Sequence, residues 1–384
     1  MKQKLYEYPI GLTQQFRMCG NPFRVDVYKG CTYGCKYCFT NSNSFTSKNN
    51  FAISNFDKIE RLFYQAFESD KEYKNINIEL LRHKVPLHLG GMSDPFQCAE
   101  ARYGLTYKLI ELTNKYNYPM IISTKASSMP QKYWDILNPN IHAFQISLCG
   151  ISENWIRQFE RNTPPPKYRI NFMRQLNREG YWVSVRIQPL INLDEAIHVV
   201  ESTSNFVNYI TVEHLKISTD EVKDRKFWFD VCDNDLSHWY RAGKNYELET
   251  EIKRLNIEKL KQVSECPIGC GDNDLHELSD SNNCCGVDTI NDNFTNWLKY
   301  NTMYINMTND TSQWFPKCNC SSCFNSDCRK QGYNYKDYVD DFILKPLRKQ
   351  KIHITICKYK CISKYYRINE KHRKSNRIYQ RKRK

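Results

Sequence analysis

The sequence predicts an α/β protein built on a parallel sheet. Between residues 23 and 217, six short runs rich in β-branched and aromatic residues alternate with stretches of helical periodicity. The candidate strands are residues 23–28, 85–91, 118–125, 141–150, 181–191 and 209–217. Strands that alternate with helices pair in parallel through right-handed crossovers, so this sheet is expected to be either doubly wound or curled into a partial barrel.

The helical stretches between these strands each show one apolar face. Apolar side chains recur at intervals of three and four residues, as a helix packed on a sheet requires. The three clearest sets are Ile59, Leu62, Phe63, Ala66 and Phe67; Leu105, Leu109, Leu112 and Tyr116; and Phe172, Met173 and Leu176. Gly180 follows the third set as an expected helix stop.

Polar residues recur where the predicted strands end. They are Ser93, Asp94, Thr124, Lys125, Ser147, Gln188 and Glu213. Because parallel strands present their carboxyl ends at one edge of the sheet, these side chains are expected to gather around a site there.

A cysteine array directly follows the first predicted strand. Residues 28–40 read "YKGCTYGCKYCFT", which places Cys31, Cys35 and Cys38 in a CxxxCxxC pattern. Clustered thiols in a reducing compartment are more often metal ligands than disulfides. Three thiolates neither close a tetrahedral zinc site nor occupy all four irons of a [4Fe-4S] cluster, so one iron would stay open. The alternative is a zinc knuckle with a distant fourth ligand, although zinc ligands usually come as CxxC pairs.

This arrangement resembles the radical S-adenosylmethionine (SAM) superfamily, in which the array follows the first strand and a glycine pair such as Gly90 and Gly91 follows the second. The resemblance implies a partial (β/α)6 barrel of radical SAM type and a [4Fe-4S] cluster held by the three cysteines. It also implies SAM bound at the open iron and cleaved to a 5′-deoxyadenosyl radical that abstracts hydrogen from a substrate. An electron donor such as flavodoxin or ferredoxin would supply the electron.

Four stretches are similar to the spore photoproduct lyase-like branch of that superfamily. They are "YKGCTYGCKYCF" (28–39), "LGGMSDPFQCAE" (89–100), "STKAS" (123–127) and "FERNTPPPKYRINFMRQLNREGYWVSVRIQPLI" (159–191). The resemblance implies that Ser93 and Asp94 in the Gly90–Gly91 motif bind the methionyl end of SAM. It further implies that Lys125 binds the carboxylate or ribose region, that Ser147 binds the ribose, and that Phe39 lies along the adenine.

The chain departs from that branch at the residues of its hydrogen relay. Spore photoproduct lyases return hydrogen through a cysteine just before the Ser-Asp pair, helped by tyrosines of the cluster loop. Gly91 stands at the cysteine position and Phe39 at one tyrosine position, while Tyr37 remains. Repair of thymine dimers is therefore not expected, and Cys98 is the candidate substitute donor beside Tyr37.

A cysteine-rich region is expected over residues 221–344, after a barrel over residues 1–220. Two groups of four cysteines each match one metal site: Cys266, Cys270, Cys284 and Cys285; and Cys318, Cys320, Cys323 and Cys328. Either group suits zinc or an auxiliary Fe-S cluster, with zinc favoured for the tightly spaced second group. Isolated cysteines such as Cys19, Cys149 and Cys232 are expected to be small buried hydrophobic residues.

The basic charge lies almost wholly in the last 40 residues. Residues 345–384 carry a net charge of +15 and the whole chain carries +14, so residues 1–344 carry −1. Such a run of like charge is expected to be a solvated tail that binds nucleic acid, with Tyr359, Tyr365, Tyr366 and Tyr379 available for stacking on bases. No stretch has the length of a membrane span, and a cytoplasmic location is expected.

The sequence thus favours a radical SAM enzyme that acts on a nucleic acid or nucleotide. The first alternative keeps the chemistry and changes the substrate to a peptide or small metabolite. The second is a metal-stabilised nucleic-acid-binding protein without catalysis, which the expected open iron disfavours.

Overall fold

An eight-stranded sheet forms the centre of the computed structural model, which describes residues 5–13, 19–41, 51–71, 73, 75–218, 237–242, 245–272 and 274–297. The strands in chain order are β1 (Leu5–Tyr6), β2 (Ile10–Leu12), β3 (Phe23–Val25), β4 (Tyr28–Lys29), β5 (Ala52–Ser54), β6 (Leu87–Leu89), β7 (Met120–Thr124), β8 (His142–Ser147), β9 (Val183–Leu190), β10 (Tyr209–His214), β11 (Lys216–Ser218), β12 (Trp239–Ala242), β13 (Asn245–Leu248) and β14 (Ile268–Cys270). The predictions for Cys232, for the group from Cys318 to Cys328 and for the 345–384 tail lie outside the described residues.

The six predicted strands are all present, and they are neighbours in the sheet in chain order. The sheet runs β14-β10-β9-β8-β7-β6-β3-β2, with parallel pairing everywhere except between β2 and β3. This confirms the predicted α/β class with a mainly parallel sheet. Two small three-stranded sheets, β1-β5-β4 and β11-β13-β12, flank it.

Helices occupy most of the crossovers, as the periodicity predicts. They are α1 (Phe56–Phe67), α2 (Ile76–Arg82), α3 (Cys98–Tyr103), α4 (Leu105–Lys115), α5 (Gln131–Trp134), α6 (Glu153–Phe159), α7 (Pro166–Arg178), α8 (Leu193–Thr203) and α9 (Thr250–Val263). On α7 the predicted face of Phe172, Met173 and Leu176 is buried, and Gly180 follows the helix at φ +82°. A residue with a side chain is strained at that φ, which explains why glycine ends this helix.

The two faces of the sheet differ in character. Successive side chains of a strand point to opposite faces, so Leu87, Leu89 and Ile122 pack into the core under the helices. The other face, here called the inner face, carries His88 and Ser123 of the same strands. The inner face is therefore polar toward the carboxyl ends of its strands.

Part of the predicted cysteine-rich region completes this sheet. Strand β14 pairs in parallel with β10, and Val287 and Phe294 pack on Ile121 of the inner face. At Gly269 an added Cβ would stand 2.2 Å from the Cys284 carbonyl oxygen, so only glycine permits this close approach. Residues from beyond position 220 thus close one end of the inner face.

No helix among the described residues has the length and apolarity needed to cross a membrane.

Candidate active site

The cysteine array forms a loop that its neighbours clamp at two points. Gln97 donates from Nε2 to the Gly30 carbonyl at 3.0 Å and accepts the Thr32 N–H at 3.0 Å. The Lys36 N–H donates to the Phe159 carbonyl at 2.9 Å. Gly30 and Gly34 adopt φ of +84° and +58°, which explains the glycine before Cys31 and the one before Cys35. We call residues 30–38 the cluster loop.

The three thiols of the cluster loop lie close enough to influence one another. Burial is the main cause that raises the pKa of Cys31 to about 11 and that of Cys35 to about 12, and the nearby Cys38 sulfur contributes to both increases. The Cys31 sulfur accepts the backbone N–H groups of Asp94 and Tyr33. Backbone donors of this kind stabilise a thiolate that binds iron. The donor set thus fits a cluster held by three cysteines.

In the described part of the chain, no three Cys, His, Asp or Glu side chains are placed to hold a single metal ion. Cys35 is buried, and Cys31 and Cys38 are partly exposed. The assignment of these three thiols as iron ligands therefore stays a prediction.

The loop after β6 joins the cluster loop to the end of β7. Asp94 accepts the Lys125 N–H at 2.7 Å and the Thr124 hydroxyl at 2.8 Å, while Ser93 donates its hydroxyl to the Tyr28 carbonyl at 2.7 Å. Burial raises the pKa of Asp94. At Gly90, φ is +92° and a Cβ would lie 2.2 Å from the Ser123 carbonyl oxygen.

The structure therefore gathers Ser93, Asp94 and Lys125 beside the cluster loop, as the strand-end pattern predicts. In the geometry described, the side chains of Ser93 and Asp94 hold the neighbouring loops together. Their contact with SAM stays a prediction. Ser147, at the end of β8, is partly buried, and its carbonyl accepts a 2.8 Å bond from Arg169.

A buried ion network underlies the cluster loop, and sequence reasoning did not single out its centre. Glu160 is fully buried and accepts hydrogen bonds from the Tyr37 hydroxyl, from Lys125 Nζ at 3.1 Å and from Arg169 at 2.5 Å. Burial would raise the pKa of Glu160, but the cations Lys125 and Arg169 lower it to about 2. The signal was present in "FERNTPPPKYR", where Glu160 precedes the three prolines and Arg169 lies in the first turns of α7.

The two residues predicted for the hydrogen relay, Tyr37 and Cys98, have different surroundings. Tyr37 is close to Cys149, with its hydroxyl 3.6 Å from that sulfur. Cys98 is the first residue of α3 and is exposed, and Phe39 is 61% exposed. A Cβ added at Gly91 would lie 3.8 Å from the Nδ1 atom of His88, so a side chain at this position would contact the His88 ring. Cys149 is buried, as predicted for an isolated cysteine, but it has a polar neighbour.

A chain of hydrogen bonds crosses the inner face below these loops. His88 bonds Ser123 at 2.7 Å, and Arg186 donates to Ser123 at 3.3 Å and to Gln188 at 2.9 Å. Gln188 in turn donates to Glu213, which also pairs with Lys216 at 2.7 Å. Gln188 and Glu213, predicted from the strand ends, are thus brought together, whereas His88 and Arg186 were missed because each lies mid-strand.

The cysteines of the first predicted second-half group do not gather in this structure. Cys270 packs with Cys266 in the core under the helices, whereas Cys285 packs on the inner face. The Cys284 and Cys285 sulfurs are 3.7 Å apart, and the side chains of Cys19 and Cys285 are joined by a hydrogen bond. The sheet separates the two pairs because β14 directs Cys270 to the face opposite Cys285.

Comparison with known sequences gives distant relatives without a described function. No protein-family model matches the chain. Two uncharacterised proteins, from Mycobacterium tuberculosis and Mycobacterium bovis, are each 24% identical to it over 186 residues, covering 44% of this chain and 50% of theirs. The chain thus spans about half the length of the curated relatives it matches.

Among solved structures, the chain is similar to two radical SAM enzymes, as the motifs predict. A variant of spore photoproduct lyase has a TM-score of 0.49 at 14% identity, covering 67% of this chain and 77% of that one. Another variant of that enzyme, with bound AdoMet and dinucleoside spore photoproduct, has a TM-score of 0.45 at 14% identity and the same coverage. SuiB of Streptococcus suis has a TM-score of 0.38 at 14% identity, covering 57% of this chain and 48% of that one. These likenesses carry no argument here, because the fold follows from the strand pairing and the functional argument rests on the site.

Proposed function

We propose that this protein is a radical SAM enzyme. The observation that carries the proposal is the position of Cys31, Cys35 and Cys38, on a clamped loop beside the ends of parallel strands that bear Asp94 and Lys125. A [4Fe-4S] cluster on these thiols would supply an open iron at which SAM is bound and reductively cleaved to a carbon radical. The chain's own residues would hold the cluster loop, place a cation at the rim and line the inner face with hydrogen-bonding groups.

We further propose that the substrate is a nucleic acid or nucleotide. Five cations of the α6–α7 region are exposed, and none of them forms an ion pair with a carboxylate within the described residues. They are Arg157, Arg161, Lys167, Arg174 and Arg178. Exposed acidic residues lie only at the ends of this region, Glu153 at the start of α6 and Glu179 directly after α7, and α7 itself has none. The solvent face of a helix usually mixes charges of both signs, so the cationic face of α7 favours a polyanion partner. This surface adjoins the cluster loop through the bond between Lys36 and Phe159.

Anaerobic reconstitution with iron and sulfide tests the chemistry. The protein with Cys31→Ala, Cys35→Ala and Cys38→Ala should form no 5′-deoxyadenosine from SAM and a reductant, whereas the wild type should form it, as measured by mass spectrometry. A matched variant that loses three thiols outside every predicted site, Cys19→Ala, Cys232→Ala and Cys357→Ala, should retain this uncoupled cleavage. Product from the array variant equal to that from the wild type contradicts the proposal.

A further inference from the structure

We propose that Glu160 is a positioning residue that fixes the Lys125 ammonium and the cluster loop in one geometry for SAM. The inference rests on the proposed function, and it assigns a role to a residue that itself touches neither thiol nor cofactor. Glu160 directly follows α6, and its carboxylate reaches side chains from three other segments: the cluster loop, the end of β7 and the first turns of α7.

The two carboxylate oxygens of Glu160 divide their partners between the site and the scaffold. Oε1 accepts from Tyr37 and from Lys125, which are the site residues. Oε2 accepts from Arg169 at 2.5 Å and from the Thr163 hydroxyl at 3.2 Å. Arg169 is itself fixed by a 2.8 Å bond to the Ser147 carbonyl at the end of β8. The carboxylate therefore links the end of β8, through Arg169, to Tyr37 of the cluster loop, and so fixes the loop relative to the sheet.

Lys125 is held in one orientation by this arrangement. Its Nζ donates to the Tyr37 hydroxyl at 2.9 Å and to Glu160 at 3.1 Å, and it lies 5.4 Å from the centre of the Tyr37 ring. An ammonium has three donors, so two of them are used on the scaffold side. Since 12% of the Lys125 side chain is exposed, a third N–H can meet a carboxylate that enters from the rim.

The cluster loop is fixed by the same segment. The Tyr37 ring packs against Trp155 and Phe159 at centroid distances of 6.3 and 6.2 Å, and the Lys36 N–H bonds the Phe159 carbonyl. Tyr37 lies between Cys35 and Cys38, so its position determines where those two thiols stand. Loss of the Glu160 carboxylate would leave buried Arg169 and partly buried Lys125 without their counter-charge, and the Tyr37 hydroxyl with only its longer contact to Cys149.

Two readouts test the role, one of which needs neither cluster nor SAM. In metal-free protein, Glu160→Gln should accelerate alkylation of Cys35 by iodoacetamide about tenfold, because Cys35 is only 5% exposed while the loop is docked. Exposed Cys98 serves as the internal reference and should react at an unchanged rate. In reconstituted protein, the same substitution should raise the Kd for SAM about 10–100-fold, as loss of a supporting residue typically does.

Controls separate positioning from general destabilisation. Asp272→Asn removes a carboxylate that is equally buried but pairs with His214 on β10, so it should change neither readout. In a Lys125→Met background, Glu160→Gln should raise the Kd less than threefold further, because it acts through Lys125. If Glu160→Gln fails to fold, Glu160→Asp takes its place. This variant keeps the charge but has a shorter side chain, and it should still raise the Kd for SAM at least threefold.

The outcomes distinguish this inference from the proposed function. A reconstituted wild type that does not bind SAM overturns both. A wild type that binds SAM, together with Glu160→Gln or Glu160→Asp protein that binds it equally well, overturns the role of Glu160 and leaves the proposed function standing. Equal effects from Asp272→Asn and Glu160→Gln also overturn it.

Discussion

Two buried carboxylates, Glu160 and Asp272, keep their charge because cationic or hydrogen-bonding partners offset the cost of burial. Burial alone would raise both pKa values, but neighbouring groups lower each to about 2. For Asp272 the main partner is His214, whose Nδ1 lies 2.6 Å from the carboxylate. That pair braces β14 against β10, whereas Glu160 serves the cluster loop. A buried carboxylate can thus either hold two strands together or position residues of a site, and the groups that it contacts show which role it has.

Asp272→Asn should lower the free energy of unfolding of the metal-free protein by about 2–3 kcal/mol at pH 7, since one pKa unit corresponds to about 1.4 kcal/mol. The pKa of Asp272 is lower in the folded than in the unfolded chain, so its contribution is complete above about pH 4. The difference between wild type and variant should therefore shrink as the pH falls from about 4 toward 2. Urea titrations across that range measure it.

The surface pair of Lys115 and Glu68 provides the control, because Glu68 is exposed. Glu68→Gln should cause no measurable loss of stability, since solvent screens such pairs. A loss from Asp272→Asn that stays constant down to pH 2 would contradict a charged Asp272 in the folded protein.

At the scale of elements, the sequence predicted the six parallel strands because each is a run of β-branched and aromatic residues. It could not predict β14, whose residues 268–270 read "IGC" after a proline, without any such run. This strand forms only because β10 offers an open edge. Similarly, the motifs indicated Lys125, but spacing alone does not reveal that the chain folds Glu160 beneath it. Tertiary partners determine both features.

Helix α7 provides a test of the nucleic-acid proposal at this scale. Residues 167, 174 and 178 lie on one face, because separations of 7 and 11 residues are close to two and three turns. The triple variant Lys167→Glu, Arg174→Glu and Arg178→Glu should weaken binding to single-stranded nucleic acid. The slope of log affinity against log salt should fall by about 0.7 for each phosphate that the variant no longer neutralises. Filter binding at salt concentrations from about 50 to 200 mM measures both the affinity and the slope.

A second triple variant controls for net charge alone. Arg61→Glu, Lys108→Glu and Lys259→Glu change the charge equally but lie on three separate helices, α1, α4 and α9. Their side chains are exposed. Equal weakening by both triple variants would show that binding follows overall charge and not the α7 face.

At the scale of the whole molecule, the charge is unevenly distributed. Residues 1–344 carry a net of −1. Because residues 1–344 are nearly neutral, acidic groups in this part of the chain offset the exposed cations of α6 and α7. A polyanion would therefore bind a local cationic surface, since this part of the protein is not basic throughout. The cysteine array, the strand ends and that surface share one region, while the basic tail follows in sequence beyond the described residues.

Deleting residues 345–384 should leave cluster assembly and uncoupled SAM cleavage unchanged, because none of the site residues lies in that segment. Nucleic-acid affinity should fall and its salt dependence should flatten, by about 0.9 in slope for each duplex phosphate that the truncated protein no longer neutralises. If the tail and the α7 face bind different phosphates, combining the deletion with the α7 variant should reduce the slope by the sum of the two separate changes.

Binding curves of full-length and truncated protein that coincide from about 50 to 200 mM salt would remove the support that the tail gives to a nucleic-acid substrate. If the α7 variant also bound as the wild type does, a peptide or small metabolite would become the leading substrate, because the site chemistry depends on neither surface.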